Sequence, residues 1–144
     1  SVFVEILNVP GMTHNHDKTL EELEDKIKNN ESLFLPMATI LETGNHIAQN
    51  GDGDQRRKCA KNFINQVKKA LNEESPFKPI SFLEKDQLYK WLDEFSEYAM
   101  RELGLGDLSI IHDWKRQCDL NPGRVVYIWS LDDDLKAYMR VPRI

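Results

Sequence analysis

The stretch at residues 33–48, LFLPMATILETGNHIA, decides how the rest of the chain is interpreted. Its first three residues are apolar, as in a short buried strand. Pro36 ends that strand because proline has no N–H for the hydrogen-bond ladder. A helix is then predicted to begin near Thr39, with Glu42 in its first turn. Sites in open α/β sheets form beyond the carboxyl ends of the strands, which is where Glu42 would lie.

Glu42 also has a purely structural interpretation. Thr39 and Glu42 have the spacing of a capping box, in which the threonine caps the helix and the glutamate bonds back to the threonine N–H. An acidic residue in a first turn also interacts favourably with the helix dipole. The motif alone therefore leaves open both a helix cap and a metal ligand.

The composition is that of one globular domain covering residues 1–144. The chain is 40% hydrophobic, which is enough for a single core. Cys59 and Cys118 are too few and too far apart for a disulfide framework or a zinc ribbon. No apolar run approaches the roughly 20 residues that span a membrane, and no signal peptide is visible. We expect a soluble, cytoplasmic protein with no membrane partner, and the net charge of −5 argues against a nucleic-acid-coating protein.

Predicted helices alternate with short apolar strands along the chain. This order predicts an α/β fold with a mainly parallel sheet and helices on both faces. The clearest strand is RVVYIW at 124–129, which is continuous and β-branched, as buried parallel strands are. The other predicted elements are strands at 33–35 and 77–82, and helices at 19–30 (capped by Thr19), 55–74, 108–118 and 135–140, with one more running from a Ser81 cap to about 102.

Three carboxylates follow this pattern at comparable places. Glu42 follows a strand, Asp107 begins a helix after a glycine turn, and Asp132 directly follows the clearest strand. Because the carboxyl ends of parallel strands share one edge, Glu42 and Asp132 are expected there, with Asp107 as a candidate third member. Clustered carboxylates repel one another unless a cation neutralises them, and such oxygen ligands select Mg²⁺ or Mn²⁺. A site of this kind suits phosphodiester hydrolysis. Each aspartate also has an alternative, since Asp107 could be only an N-cap, and Asp132 with its neighbours could cap the last helix.

Three motifs together resemble the PIN-domain family of metal-dependent ribonucleases, which includes the toxins of many bacterial toxin–antitoxin pairs. LPMATILETGNHIA places Glu42 where the family has its helix acid, and ELGLGDLSIIHDWKRQ is similar to the family's helix opening, with Asp107 as the acid. VVYIWSLDDDLKAY is similar to the family's strand followed by threonine-x-aspartate. In it Ser130 stands for the threonine and Asp132 is the main acid. The resemblance implies a three-layer α/β/α fold.

The resemblance also implies a function and a ligand set. Glu42, Asp107 and Asp132 would bind Mg²⁺ or Mn²⁺, supported by Asp134 and Ser1, and the metal would activate the attacking water. A small antitoxin would hold the enzyme inactive, and a homodimer is expected. The basic side chains of the predicted helix at 55–74 fit either a phosphate backbone or a solvated helix face. If RNA binds, its backbone would lie along Arg56, Arg57, Lys61 and Lys115.

One departure from the family pattern keeps a second interpretation open. SVFVEILNVPG resembles the segment that follows the family's first aspartate, so that the first strand and its acid would lie upstream of Ser1. A chain without that acid would be a non-catalytic PIN-like binding or scaffold module.

Overall fold

The computed structural model describes residues 2–80 and 84–142 of the chain. The chain divides into two compact units, Ser1–Ile80 and Ser81–Ile144. No helix in the described part of the chain is long and apolar enough to cross a membrane.

The first unit contains four helices and one pair of parallel strands in its described residues. Strand β1 pairs with β2 so that Leu33 lies opposite Phe77 and Leu35 opposite Pro79. Proline is tolerated here because each strand of a two-stranded sheet is an edge strand. In chain order the elements are α1 (Val2–Leu7), α2 (His16–Lys28), β1 (Leu33–Leu35), α3 (Met37–Gln49), α4 (Gly53–Leu71) and β2 (Phe77–Pro79).

Apolar side chains of α1 fill the core of the first unit. Phe3, Val4 and Leu7 are all buried. The ring centroid of Phe3 lies 6.3 Å from that of Phe63 in α4 and 5.8 Å from that of Phe77 in β2. One aromatic side chain therefore joins three elements. The remaining buried members of this cluster are Val9, Leu35, Ile47 and Ala70.

Helix α3 begins at Met37, so the predicted capping box at Thr39 is wrong. Pro36 is the N-cap, with φ −66° and ψ 149°, and its carbonyl accepts the Ile40 N–H at 3.2 Å. Proline suits a helix start because the first N–H groups have no partner within the helix, and a missing N–H costs little there. Glu42 consequently lies beyond the first turn, which contains no acidic residue.

Helices α2 and α4 of the first unit also begin before their predicted starts. Helix α2 begins at His16, not at Thr19, whose N–H donates to the carbonyl of Asn15 at 2.9 Å. Helix α4 begins at Gly53, two residues before the predicted start at 55, and is capped by Asp52. The Asp52 side chain accepts the Gln55 N–H, and the Gln55 side chain accepts the Asp52 N–H, each at 2.9 Å.

The second unit contains three helices and one pair of antiparallel strands in its described residues. Helix α5 is capped by Glu84, and the predicted cap at Ser81 lies outside the described residues. Strand β3 pairs with β4 so that Val126 lies opposite Arg140 and Tyr127 opposite Met139. The elements are α5 (Lys85–Met100), α6 (Leu105–Leu120), β3 (Val126–Tyr127), α7 (Asp133–Lys136) and β4 (Met139–Arg140).

Polar and aromatic contacts join the elements of the second unit. Helix α5 has no fully buried residue. His112 of α6 stacks on Trp91 of α5 with ring centroids 5.8 Å apart, and its Nε2 lies 2.7 Å from Glu94 Oε2. The Arg140 guanidinium in β4 donates to three main-chain carbonyl oxygens around the end of α6, those of Cys118 (3.2 Å), Asn121 (2.5 Å) and Arg124 (2.8 Å).

The predicted three-layer fold with a mainly parallel sheet is wrong. The described residues are 63% helical, and their strands form one parallel and one antiparallel pair. Of the predicted strand at 124–129, only Val126 and Tyr127 pair, and the Val126 carbonyl also accepts the Trp114 indole N–H at 3.0 Å. The apolar runs thus supply strands of two or three residues, well short of the usual 5–6. Packing of α1, α3 and α4 provides the burial that a sheet was expected to provide.

Candidate functional site

Glu42 is the candidate acid of the first unit, and the fold does not use it as a cap. Its side chain is 53% exposed on α3, and its Oε1 lies 3.5 Å from Nε2 of His46, one turn further along the helix. The fully buried Thr43 beside it anchors this part of α3. Glu42 is therefore an accessible carboxylate on the helix that follows β1, next to the imidazole of His46.

Asp107 is a capping acid in the second unit. It is the third residue of α6, and its Oδ2 accepts the N–H of the N-cap residue Gly104 at 3.3 Å. The helix begins at Leu105, not at 108, because Gly104 adopts extended backbone angles (φ −73°, ψ 168°) that suit an N-cap. The predicted N-cap at Asp107 is therefore wrong, because Gly104 is the N-cap and Asp107 supports the helix start from its third residue.

Asp132 and Asp134 are brought together by the turn that opens α7. Asp132 is the N-cap, and its Oδ1 accepts the Asp134 N–H at 2.9 Å. The Asp132 N–H donates in turn to Ser130 Oγ at 3.0 Å. Leu135, which follows, is buried and fixes the turn to the unit. Asp132 and Asp134 are both exposed, so their carboxylates are adjacent and accessible to solvent.

The donor atoms suit Mg²⁺ or Mn²⁺ in their chemistry, since all are carboxylate oxygens. Glu42 belongs to the first unit, and Asp107, Asp132 and Asp134 to the second. Among residues 2–80 and 84–142, no group of three or more His, Cys, Asp or Glu side chains could hold a metal ion. The four carboxylates therefore suit such an ion by ligand type, but they do not form a group of three in the described part of the chain. The predicted supporting residue Ser1 lies outside the described residues.

The predicted RNA-contacting residues lie on exposed helix faces. Arg57 and Lys61 are exposed on α4, and Lys115 is exposed on α6. Arg56 is also exposed, but its Nη1 donates to the Gly51 carbonyl at 2.5 Å and so holds the turn before α4. A role in RNA binding stays a prediction for all four residues.

Glu5 is a buried carboxylate for which the sequence predicts no role. It is 4% exposed, and it accepts the N–H groups of His14 (3.2 Å) and Asn15 (3.1 Å) just before α2. His16 Nδ1 lies 2.6 Å from the Glu5 carbonyl oxygen. The carboxylate therefore satisfies N–H groups at the positive end of the α2 dipole, and this structural task explains its burial. The signal in the sequence is a single acid inside the apolar run VFVEIL.

Asp113 is the second carboxylate that sequence reasoning missed. It is half-buried on α6, and burial raises its pKa from 3.8 to about 6, although the charge of Arg116 acts in the opposite direction. No spacing rule singles it out, because its environment depends on how the elements of the second unit pack.

The comparisons with known proteins return no relatives for this chain. No protein-family model matches it, and neither a curated protein nor a solved structure does.

Proposed function

We propose that the protein is an Mg²⁺- or Mn²⁺-dependent endoribonuclease, with Glu42 in the first unit and Asp107, Asp132 and Asp134 in the second as its candidate metal-binding carboxylates. The observation that carries the proposal is the state of Glu42. Its carboxylate is exposed and takes no part in capping α3, so the structural alternative that competed with a ligand role has been removed. The three motifs that resemble PIN-domain ribonucleases supply the reaction class.

Each residue has a task in this proposal. The chemistry that a bound Mg²⁺ or Mn²⁺ supplies is activation of water and neutralisation of charge on the phosphate. His46 lies beside Glu42, with its Nε2 3.5 Å from Glu42 Oε1. Ser130 and the Asp134 N–H hold the Asp132 backbone and carboxylate in one orientation, which limits the entropy lost on binding a cation. By the same resemblance, a small antitoxin would regulate the enzyme, and the active form would be a homodimer.

The test is cleavage of a fluorophore–quencher RNA by the full chain in the presence of Mn²⁺. We expect activity that EDTA abolishes. Glu42→Gln, Asp107→Asn and Asp132→Asn should each lower the rate at least about 100-fold, the scale for losing a group that acts on transition-state charge. The matched controls are Glu24→Gln on α2 and Asp93→Asn on α5, which remove exposed acids that have no proposed role.

The thermal melt of each variant separates catalysis from folding. Glu42→Gln should melt with the wild type, because no cap is lost. Full activity in all three variants, or no cleavage by the wild-type chain, would overturn the proposal.

A non-catalytic binding module is the second candidate, and one observation favours it. Asp107 and Asp132 both cap helices, so their presence is explained without any chemistry. For such a module we expect no cleavage in Mn²⁺. Asp107→Asn and Asp132→Asn would then leave the melting temperature close to that of the wild type, because the asparagine side-chain oxygen can accept the same main-chain N–H groups.

A further inference from the structure

A stripe of basic and aliphatic side chains runs along the solvent face of α4. Arg57, Lys61, Ile64, Lys68 and Leu71 follow one another at spacings of four and three residues, which places them on one side of the helix. We call these five residues the α4 stripe. The opposite side of α4, which includes Phe63 and Ala70, packs into the first unit.

The α4 stripe is exposed along its whole length. Ile64 is 47% exposed and Leu71 is 48% exposed, and all three basic residues are exposed. None of the three makes a salt bridge with another residue in the described part of the chain. One face of α4 therefore exposes two large aliphatic side chains, together with three cations that form no salt bridge with the described residues.

The charge around the stripe is strongly one-sided. Helix α4 carries six basic residues and one acid, Asp54, which lies in its first turn. The next acids, Glu73 and Glu74, come after the C-cap residue Asn72. The middle of the helix is thus a positive surface about three turns long, within a chain whose net charge is −5.

We propose that the α4 stripe is a docking surface for an acidic amphipathic helix of another protein. Such a helix would cover Ile64 and Leu71 with its apolar face and place carboxylates opposite Arg57, Lys61 and Lys68. A phosphate backbone would use the three cations but gain little from the two aliphatic side chains, which favours a protein partner over RNA. Arg57 and Lys61 are also predicted RNA contacts, whereas Ile64, Lys68 and Leu71 are not. A variant of Ile64 and Leu71 therefore tests this docking separately from the proposed nuclease activity.

The probe is a synthetic helical peptide of about 20 residues, with leucines on one face and glutamates along both borders of that face. Its binding to the full chain is measured by fluorescence anisotropy. The controls are a scrambled peptide of the same composition and a single-stranded RNA of about 20 nucleotides. We expect the helical peptide to bind at least about tenfold tighter than the scrambled one, because only a helix presents its leucines and glutamates together.

Three double variants locate the surface. Ile64→Ser/Leu71→Ser and Lys61→Glu/Lys68→Glu should each weaken peptide binding at least about tenfold. Lys58→Glu/Lys69→Glu makes the same charge change on the same helix, outside the stripe, and should weaken it less than about threefold at physiological salt. Circular dichroism spectra check that all three variants remain folded, and these exposed positions are expected to tolerate the change.

Three outcomes would overturn the proposal. In the first, the RNA binds at least as tightly as the peptide, and Ile64→Ser/Leu71→Ser leaves both affinities unchanged. In the second, the off-stripe charge reversal weakens binding as much as the one in the stripe. In the third, sedimentation shows that wild-type chains self-associate and that the stripe variants do not, so that the stripe serves a second copy of the chain. Loss of RNA cleavage in the separate assay would not bear on any of these results.

Discussion

Apolar burial and polar contacts contribute differently to the internal stability of each of the two units. In the first, Phe3, Val4 and Leu7 of α1 enter one apolar cluster that α3, α4 and both strands share. In the second, Leu108 and Ile111 of α6 are fully buried, whereas α5 has no fully buried residue and also meets α6 through the stack of His112 on Trp91 and the hydrogen bond of His112 with Glu94. Burial of apolar area is non-directional, whereas these polar contacts depend on geometry.

The difference determines how each unit should respond to substitution. The first should lose stability in proportion to the apolar volume removed, and the second should be sensitive to individual hydrogen-bond donors and acceptors. The chain offers a convenient probe, since Trp91, Trp114 and Trp129 are its only tryptophans and all lie in the second unit. Tryptophan fluorescence therefore reports on the second unit.

The largest effect is expected from Phe3→Ala in the first unit. The ring is 4% exposed and contacts Phe63 and Phe77, so its loss should reduce the free energy of unfolding by about 3–5 kcal/mol. Urea denaturation followed by far-UV circular dichroism measures the change. Phe34→Ala, which removes a ring that is 40% exposed, is the matched control and should cost less than about 1.5 kcal/mol. Equal losses in both variants would show that the α1 cluster does not dominate this unit.

The next largest effect is expected from Arg140→Met in the second unit. It removes every guanidinium donor to the carbonyl groups at the end of α6 while keeping an unbranched side chain. We expect a loss of about 1–3 kcal/mol, measured by tryptophan fluorescence in urea. Arg124→Met, an exposed arginine nearby, should lie within about 0.5 kcal/mol of wild type. Equal losses of unfolding free energy in Arg140→Met and Arg124→Met would contradict the idea that the second unit depends on individual hydrogen-bond donors.

Asp113→Asn should stabilise the protein at neutral pH. Because burial raises the Asp113 pKa to about 6 in the folded state, from 3.8, the fold favours the protonated form. The stability that this group contributes is present below pH 3.8 and is lost as the pH rises through about 6. The neutral asparagine avoids that loss, so the melting temperature at pH 7.5 should rise by roughly 2–4 °C, with little difference near pH 3.5. The control is Asp119→Asn, which changes an exposed aspartate on the same helix. An equal rise in the melting temperature of Asp113→Asn at both pH values would contradict a raised pKa for Asp113.

The smallest effect is the coupling between His112 and Glu94. A double-mutant cycle with His112→Ala and Glu94→Ala should give an interaction free energy of about 0.5–1 kcal/mol, because the glutamate is partly exposed and its charge is screened. Replacing Glu94 by Glu97 in the same cycle should give values that are additive to within about 0.3–0.5 kcal/mol. A coupling of zero for the first pair would mean that the stack on Trp91 alone joins the two helices.

The sequence predicted the helices better than the sheet, and the reason is physical. Helix α4 has both an apolar stripe of 3.6-residue period and an Asp-x-x-Gln capping box, and it forms with nearly the predicted bounds. The run VVYIW has only its β-branched composition to mark it as a strand, and composition does not specify a pairing partner. Its partner is β4, part of a segment predicted to be helical.

The residues of the candidate site also differ in how far the sequence alone could predict their roles. The cap at Asp132 follows from local spacing and was accessible from the sequence, whereas Asp107 supports a helix that begins three residues earlier than predicted. Glu42 has no capping role because α3 begins after Pro36, earlier than the capping box at Thr39 and Glu42 predicted. The raised pKa of Asp113 depends on tertiary burial, which no local pattern encodes.

The most direct test of the proposed function is a titration with Mn²⁺ in which electron paramagnetic resonance measures the free ion. The wild-type chain should bind Mn²⁺, and Glu42→Gln in the first unit and Asp132→Asn in the second should each weaken binding at least about tenfold. Glu24→Gln should bind as the wild type does. Absence of binding by the wild type, or unchanged affinity in both site variants, would contradict the claim that these carboxylates are metal ligands.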